Sequence, residues 1–200
     1  MTTTMNYTKA LLAGALAVLA VPAFSQTSNP APVINQRKEN QQDRIGNGVQ
    51  SGQLTAGETK NLEKKEAGLN GEENRMEKRD DGNLTAADKA RLTRQQNRLS
   101  NQIYRDKHNG LTQNTNPKTE VGQRQRNQQE RIAQGIKSGQ LTAGETAHLE
   151  GRETAVNHEI HNERAANGGT LTPQERAQVN RQQNRTSNAI YRKKHNGRKK

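Results

Sequence analysis

Residues Ser51–Thr59 read SGQLTAGET, and residues Ser138–Thr146 read SGQLTAGET again. Working outward from this pair, Ile34–Gly110 aligns without gaps on Val121–Gly197 at a constant offset of 87, with about half of the positions identical. Arg94–Arg98 and Arg181–Arg185 both read RQQNR, and Lys107–Gly110 and Lys194–Gly197 both read KHNG. A weaker echo at an offset of 30 lies inside each copy: Gly52, Leu54, Thr55 and Glu58 return as Gly82, Leu84, Thr85 and Asp88. The pattern Gly-x-Leu-Thr-x-x-acid therefore occurs four times, with Gly139 to Glu145 and Gly169 to Glu175 in the second copy. Identity between two copies in one chain reports duplication, not constraint.

The pattern has a direct structural meaning. Threonine followed three residues later by an acid is a capping box, in which the hydroxyl accepts from an early helix amide and the acid reaches back to the threonine amide. Thr172-Pro173-Gln174-Glu175 adds proline at the first helical position. Asp88 has a shorter reach than the three glutamates. The preceding glycine ends the helix before it. Each copy then reads as three helices: Gln36–Gln50, Ala56–Arg79 and Ala86–His108, then Gln123–Lys137, Ala143–Ala166 and Pro173–His195. The apolar stripes are narrow. The first helices carry Ile34, Ile45 and Val49, then Val121, Ile132 and Ile136. The second helices carry Leu62, Leu69 and Met76, then Leu149, Val156 and Ile160. The third helices carry Leu92, Leu99 and Ile103, with Gln96 between, and then Val179, Thr186 and Ile190, with Gln183 between.

Composition bounds how well such helices can pack. The chain of 200 residues is only 28% hydrophobic, with no Trp and no Cys, so it approaches the regime where apolar burial barely offsets chain entropy. Without cysteine there is no disulfide and no thiolate metal site. The N-terminus carries Lys9, an apolar run from Ala10 to Val21, and Ala23-Phe24-Ser25. This is the form of a secretory signal cleaved before Gln26, and we expect a soluble protein in a periplasm or outside the cell. The fold expected is all-α: two tandem three-helix repeat units, loosely packed or elongated, with disordered termini and linker. The parts are a signal peptide (1–25), a flexible linker (26–33), the first repeat (34–110), a linker (111–120), the second repeat (121–197) and a basic tail (198–200).

The formal net charge is +12, and it is unevenly placed. Thr85–Gly110 holds six Lys/Arg against two Asp/Glu, and Thr172–Gly197 holds six against one. On the third helices Arg94, Arg98 and Arg105, and again Arg181, Arg185 and Arg192, lie within about 40° of one another and roughly opposite the apolar stripe. Such a row suits an anionic envelope polymer or an acidic protein. With one tyrosine per helix and no base-reading motif, nucleic acid is not the expected partner.

The four glycine turns also resemble the EF-hand calcium loop. With Gly82 at the loop's glycine, its ligand positions fall on Glu77, Arg79, Asp81 and Asp88. A cation at Arg79 stands where an oxygen is required, and the capping box explains the same residues without metal. His158 and His161, beside Glu159 and His148, complete no zinc motif. There is no cysteine nucleophile, no nucleophile elbow and no phosphate-cradling glycine loop. The acids are assigned to caps and solvated faces, and we expect neither an enzyme nor a cofactor.

QQDRIGNGVQSGQLTAGET, LTRQQNRLSNQIYRDKHNG and their second-copy partners resemble a family of small secreted bacterial helical-repeat proteins with degenerate EF-hand-like turns. The resemblance implies export and a repeated helical unit, and it brings no activity, ligand or catalytic residue. Three readings follow: an interaction protein that uses its basic third helices, a hydrophilic stress protectant that acts by composition, or a weak calcium-binding protein of EF-hand type. Circular dichroism separates the first two. A cooperative loss of helix on heating is expected for the first, and low helicity that rises only in alcohol or on drying for the second.

Overall fold

The computed structural model describes residues 30–113, 115 and 118–198. The expected signal peptide, residues 26–29 of the first linker, Asn114, Asn116 and Pro117 of the second, Lys199 and Lys200 lie outside these. Among the described residues the only regular elements are six helices: α1 (Pro30–Ser51), α2 (Ala56–Arg79), α3 (Ala86–Lys107), α4 (Glu120–Lys137), α5 (Ala143–Ala166) and α6 (Pro173–Lys194).

Their boundaries follow the local chemistry. Thr55 with Glu58, Thr142 with Glu145 and Thr172 with Glu175 close reciprocal capping boxes. At α3 the Thr85 hydroxyl accepts from the Asp88 amide, but the shorter acid does not return the bond to the Thr85 amide. At the end of α2 the Gly82 amide donates to the Glu77 carbonyl (2.8 Å), and after α5 the Gly169 amide donates to Arg164 (2.7 Å). These are the long bonds of a Schellman turn. The left-handed position is taken by Asp81 in the first case (φ 51°) and by Gly168 in the second (φ 63°).

Two expected boundaries move. α1 starts at Pro30, not Gln36, so part of the expected flexible linker is helical. Pro30 and Pro32 fall in its first turn, where backbone N–H groups have no intrahelical partner to lose. α4 starts at Glu120, because Thr119 caps it by accepting from the Gly122 amide. Within the second linker, Gln113 is tied down as well. Its amide donates to the Gly52 carbonyl, and its side-chain oxygen accepts from the Ala56 amide, both at 2.9 Å.

The helices form a compact bundle, where the sparse apolar content had suggested loose or elongated units. The most extensive contact is α2 on α5, followed by α1 on α4. α3 lies across α1 and α2, α6 across α4 and α5, and α3 does not touch α6. Helices one offset of 87 apart thus pair with each other, and counterpart residues meet. Gly46 faces Ala133, and the Lys137 ammonium donates to Gln50 (3.2 Å). Such like-with-like contact is the mark of a local two-fold relation.

Every aliphatic residue of the expected stripes is buried, and Ile45, Leu62, Ile103, Ile132, Leu149 and Ile190 are fully so. The glutamines that interrupt the stripes are buried too. Gln41 donates to the Gln96 carbonyl (2.7 Å), and Gln96 donates to the Ile34 carbonyl (3.0 Å). Gln128 and Gln183 repeat both bonds, at 2.7 and 3.0 Å. These side chains stitch the outer helix to the inner one through backbone acceptors, which offsets the burial of their amide N–H groups but leaves their side-chain oxygens without a donor.

Glycine marks the tightest approach. Leu54, wholly buried, folds back over Gly48, where an added Cβ would sit 2.7 Å from the leucine side chain; at Gly135 the distance to Leu141 would be 2.6 Å. We predict that Gly48→Ala and Gly135→Ala each destabilise by about 1–2 kcal/mol in urea unfolding, overpacking outweighing the gain in helix propensity. Gly57→Ala and Gly144→Ala, with open space at each Cβ, should instead stabilise by about 0.5 kcal/mol.

Candidate functional site

The outer helices α3 and α6 carry the arginine rows. Their inner faces bury Leu92, Gln96, Leu99 and Ile103, and Val179, Gln183, Thr186 and Ile190. The opposite faces leave Arg94, Arg98, Arg105, Arg181, Arg185 and Arg192 exposed. Among the described residues, none of these six lies within 4 Å of a carboxylate. Nearby acids are engaged elsewhere: Glu72 with Arg91 (2.6 Å), Asp88 with Arg79 (2.8 Å) and Glu120 with Arg124 (2.9 Å). The rows are therefore charge that the protein itself does not neutralise. Each row stays on its own helix, and the fold does not merge the two.

The C-terminal end of each row is fixed by two of the segments that recur unchanged, SGQLTAGET and KHNG. The Asn109 amide of the first KHNG donates to Glu58 (2.6 Å), and Asn196 of the second donates to Glu145 (2.6 Å). The capping acid of the second helix thus also anchors the end of the third. Burial pushes the Glu145 carboxyl up, but the donors Asn196 and Thr142 outweigh it and hold the group below its ordinary value. Beside the rows, Tyr104 and Tyr191 are exposed and stack on His108 and His195 at centroid distances of 4.3 and 4.2 Å. Arg98 and Arg105 join Lys65 along a groove of about 710 Å³ between α2 and α3, in which Glu72 is the only acid.

The turns work as helix punctuation. In the turn aligned above with a calcium loop, the Arg79 guanidinium occupies the acid at its last ligand position, Asp88, and also pairs with Asp80 (2.9 Å). The Thr85 hydroxyl, followed by Arg79, holds the Asp88 carboxyl below its ordinary value against the effect of burial. The carboxylates of Glu58, Glu145 and Glu175 accept from the backbone amides of their cap threonines. Among the described residues no three His, Cys, Asp or Glu side chains are arranged to hold a metal ion. His158 and His161 are exposed, on the rim of a cavity of about 790 Å³ that Arg164 and the start of α2 also line.

One assignment made from the sequence needs correction. Not all acids sit at caps or on solvated faces: Glu63, Glu66, Glu150 and Glu153 are at most 1% exposed, between α2 and α5. The signal for two of them was in the spacing. Thr59, Leu62, Glu66, Leu69, Glu73 and Met76 follow alternating steps of three and four, as do Thr146, Leu149, Glu153, Val156 and Ile160. That is the seam of a helix packed on another helix, with glutamate at core positions.

No described helix is long and apolar enough to cross a membrane. Compared with protein-family models, curated proteins and solved structures, the chain matches none. The occupied Asp88 carboxylate gives a direct test of the calcium resemblance: millimolar calcium is expected to leave helicity and melting temperature unchanged and to produce no heat of binding.

Proposed function

We propose that the chain is an exported, non-enzymatic interaction protein, built as two three-helix repeat units, that binds an anionic envelope polymer or an acidic protein through α3 and α6. The observation that carries this reading is the unneutralised charge of six exposed arginines in two equivalent rows. The eleven residue steps from Arg94 to Arg105 rise about 16 Å along a helix, a length suited to several successive charges of an extended polymer. A single exposed guanidinium contributes little in water, and a row acts through its summed field, screened over about 8 Å at physiological salt. Arginine also offers planar, bidentate pairing with carboxylate or phosphate. The export pattern at the N-terminus supports a partner in the periplasm or outside the cell. The capped, compact bundle favours this reading over a protectant acting by composition, which has no need of a core.

The test is retention of the purified protein on a sulfated or phosphorylated matrix in a salt gradient. Arg94→Gln/Arg98→Gln/Arg105→Gln should elute at clearly lower salt than the wild type. Adding Arg181→Gln, Arg185→Gln and Arg192→Gln should lower it further, with melting temperatures unchanged because all six side chains are solvated. Equal retention of all three proteins would defeat the proposal.

A further inference from the structure

The contact between α2 and α5 contains the most unusual chemistry in the molecule. Glu63 and Glu66 of α2 and their counterparts Glu150 and Glu153 of α5 are 0, 1, 0 and 1% exposed. Each helix therefore brings a Glu-x-x-Glu pair to the seam that joins the two halves. Gln42 of α1 donates to Glu63 (3.1 Å), and Gln129 of α4 donates to Glu150 (3.0 Å). Donors then run out on the α5 side. The second oxygen of Glu150 and Oε1 of Glu153 meet no donor, and neither do the side-chain oxygens of Gln42 and Gln129.

No cation makes up the difference. Lys38 of α1 goes to Glu73 (2.5 Å), and Glu39 beside it lines a neighbouring cavity with Glu66. Arg44 of α1 and Arg131 of α4 are spent on Ser100 and Ser187. Lys60 of α2 lays its stem against Gly151 of α5, while Lys64 and Lys65 of α2, Arg126 and Glu130 of α4 and Arg152 of α5 are exposed. From the outer helices, Gln96 and Gln183 reach inward only to backbone carbonyls. Neither Glu150 nor Glu153 lies within 4 Å of a base. An ionised carboxylate in such surroundings is far costlier than a protonated one, whose O–H becomes the missing donor to a neighbouring oxygen. A metal ion is the other way to satisfy crowded oxygens, but no three of these acids converge as a metal site.

We propose that this seam is a proton-operated clasp: it closes with Glu150 and Glu153 as carboxylic acids against Glu63 and Glu66, and it loosens when they ionise. Burial pushes the Glu150 carboxyl well above its ordinary value, and negative charge on Glu153 and Glu63 pushes it further. Burial alone pushes Glu153 up to about 8. The sign follows from proton linkage. Between the unfolded value of 4.5 and about 8 the folded protein holds a proton that the unfolded chain has released. Stability is therefore full below that interval, declines as pH rises through it, and has lost this contribution above it. The inference does not depend on what the arginine rows bind.

Three measurements test it. The melting temperature of the wild type should fall by on the order of 10 °C between pH 5 and pH 8. The Glu150→Gln/Glu153→Gln variant, which mimics the protonated pair at every pH, should lose most of that slope and melt higher than the wild type at pH 8. Infrared spectra of the wild type, which need no variant to fold, should show a protonated carboxyl C=O band at pH 6 that disappears by pH 9. A flat or rising wild-type profile, an unchanged slope in the folded variant, or no protonated carboxyl band at pH 6 would each overturn the clasp. Stabilisation by a divalent cation at pH 8 that the variant lacks would do so as well, since a metal would then hold the oxygens.

Discussion

A chain with so few apolar residues can build an interior only by taking polar side chains into it, and each of them must then find a partner. Nearly every other feature of this bundle answers that constraint. Buried glutamines donate to backbone carbonyls of the neighbouring helix, threonines close helix ends, and one asparagine in each half ties the last turn of the third helix to the first turn of the second. The amide N–H groups of the glutamines between the aliphatic residues are satisfied without water, while their side-chain oxygens meet no donor. Where donors are exhausted, at Glu150 and Glu153, the same constraint passes to the proton.

The pairing of like helices explains how such thin stripes become a core. A three-helix unit from this sequence has its second helix apolar at Leu62, Leu69 and Met76 and polar between them. Laid against its own counterpart, that face meets a matching one, and both are withdrawn from water together. The arrangement also sets where charge can go. α3 and α6 do not touch one another, and the face of each that points away from its two neighbouring helices keeps the arginine row in solvent. The basic excess lies on the helices that the pairing leaves outermost. Asn109 and Asn196 then make the position of each row depend on the capping turn beneath it.

Much of the architecture was legible before any coordinates, for local reasons. Helix starts at Ala56, Ala86, Ala143 and Pro173 follow from threonine and acid three apart, and the stops follow from glycine. These signals act within one turn of chain and need no tertiary context. The start of α1 was misplaced because Pro30 and Pro32 read as linker, although proline is tolerated in a first helical turn. The arginine rows were legible for the same geometric reason as the stripes, since a helix places residues opposite its buried face in solvent.

By itself, the sequence determined six helices, their caps, the duplication, and the side of each third helix that carries charge. Tertiary structure alone decided that the two copies would clasp through α1 with α4 and α2 with α5, and so which glutamates would be buried. Helical periodicity says which residues share a face, but not what covers that face, and a glutamate on a seam is an ordinary solvated acid until a second helix closes over it. Glu150 and Glu153 take their chemistry from that closure: the same side chains on a free helix would be ionised and unremarked, and between α2 and α5 they are acids in need of a proton.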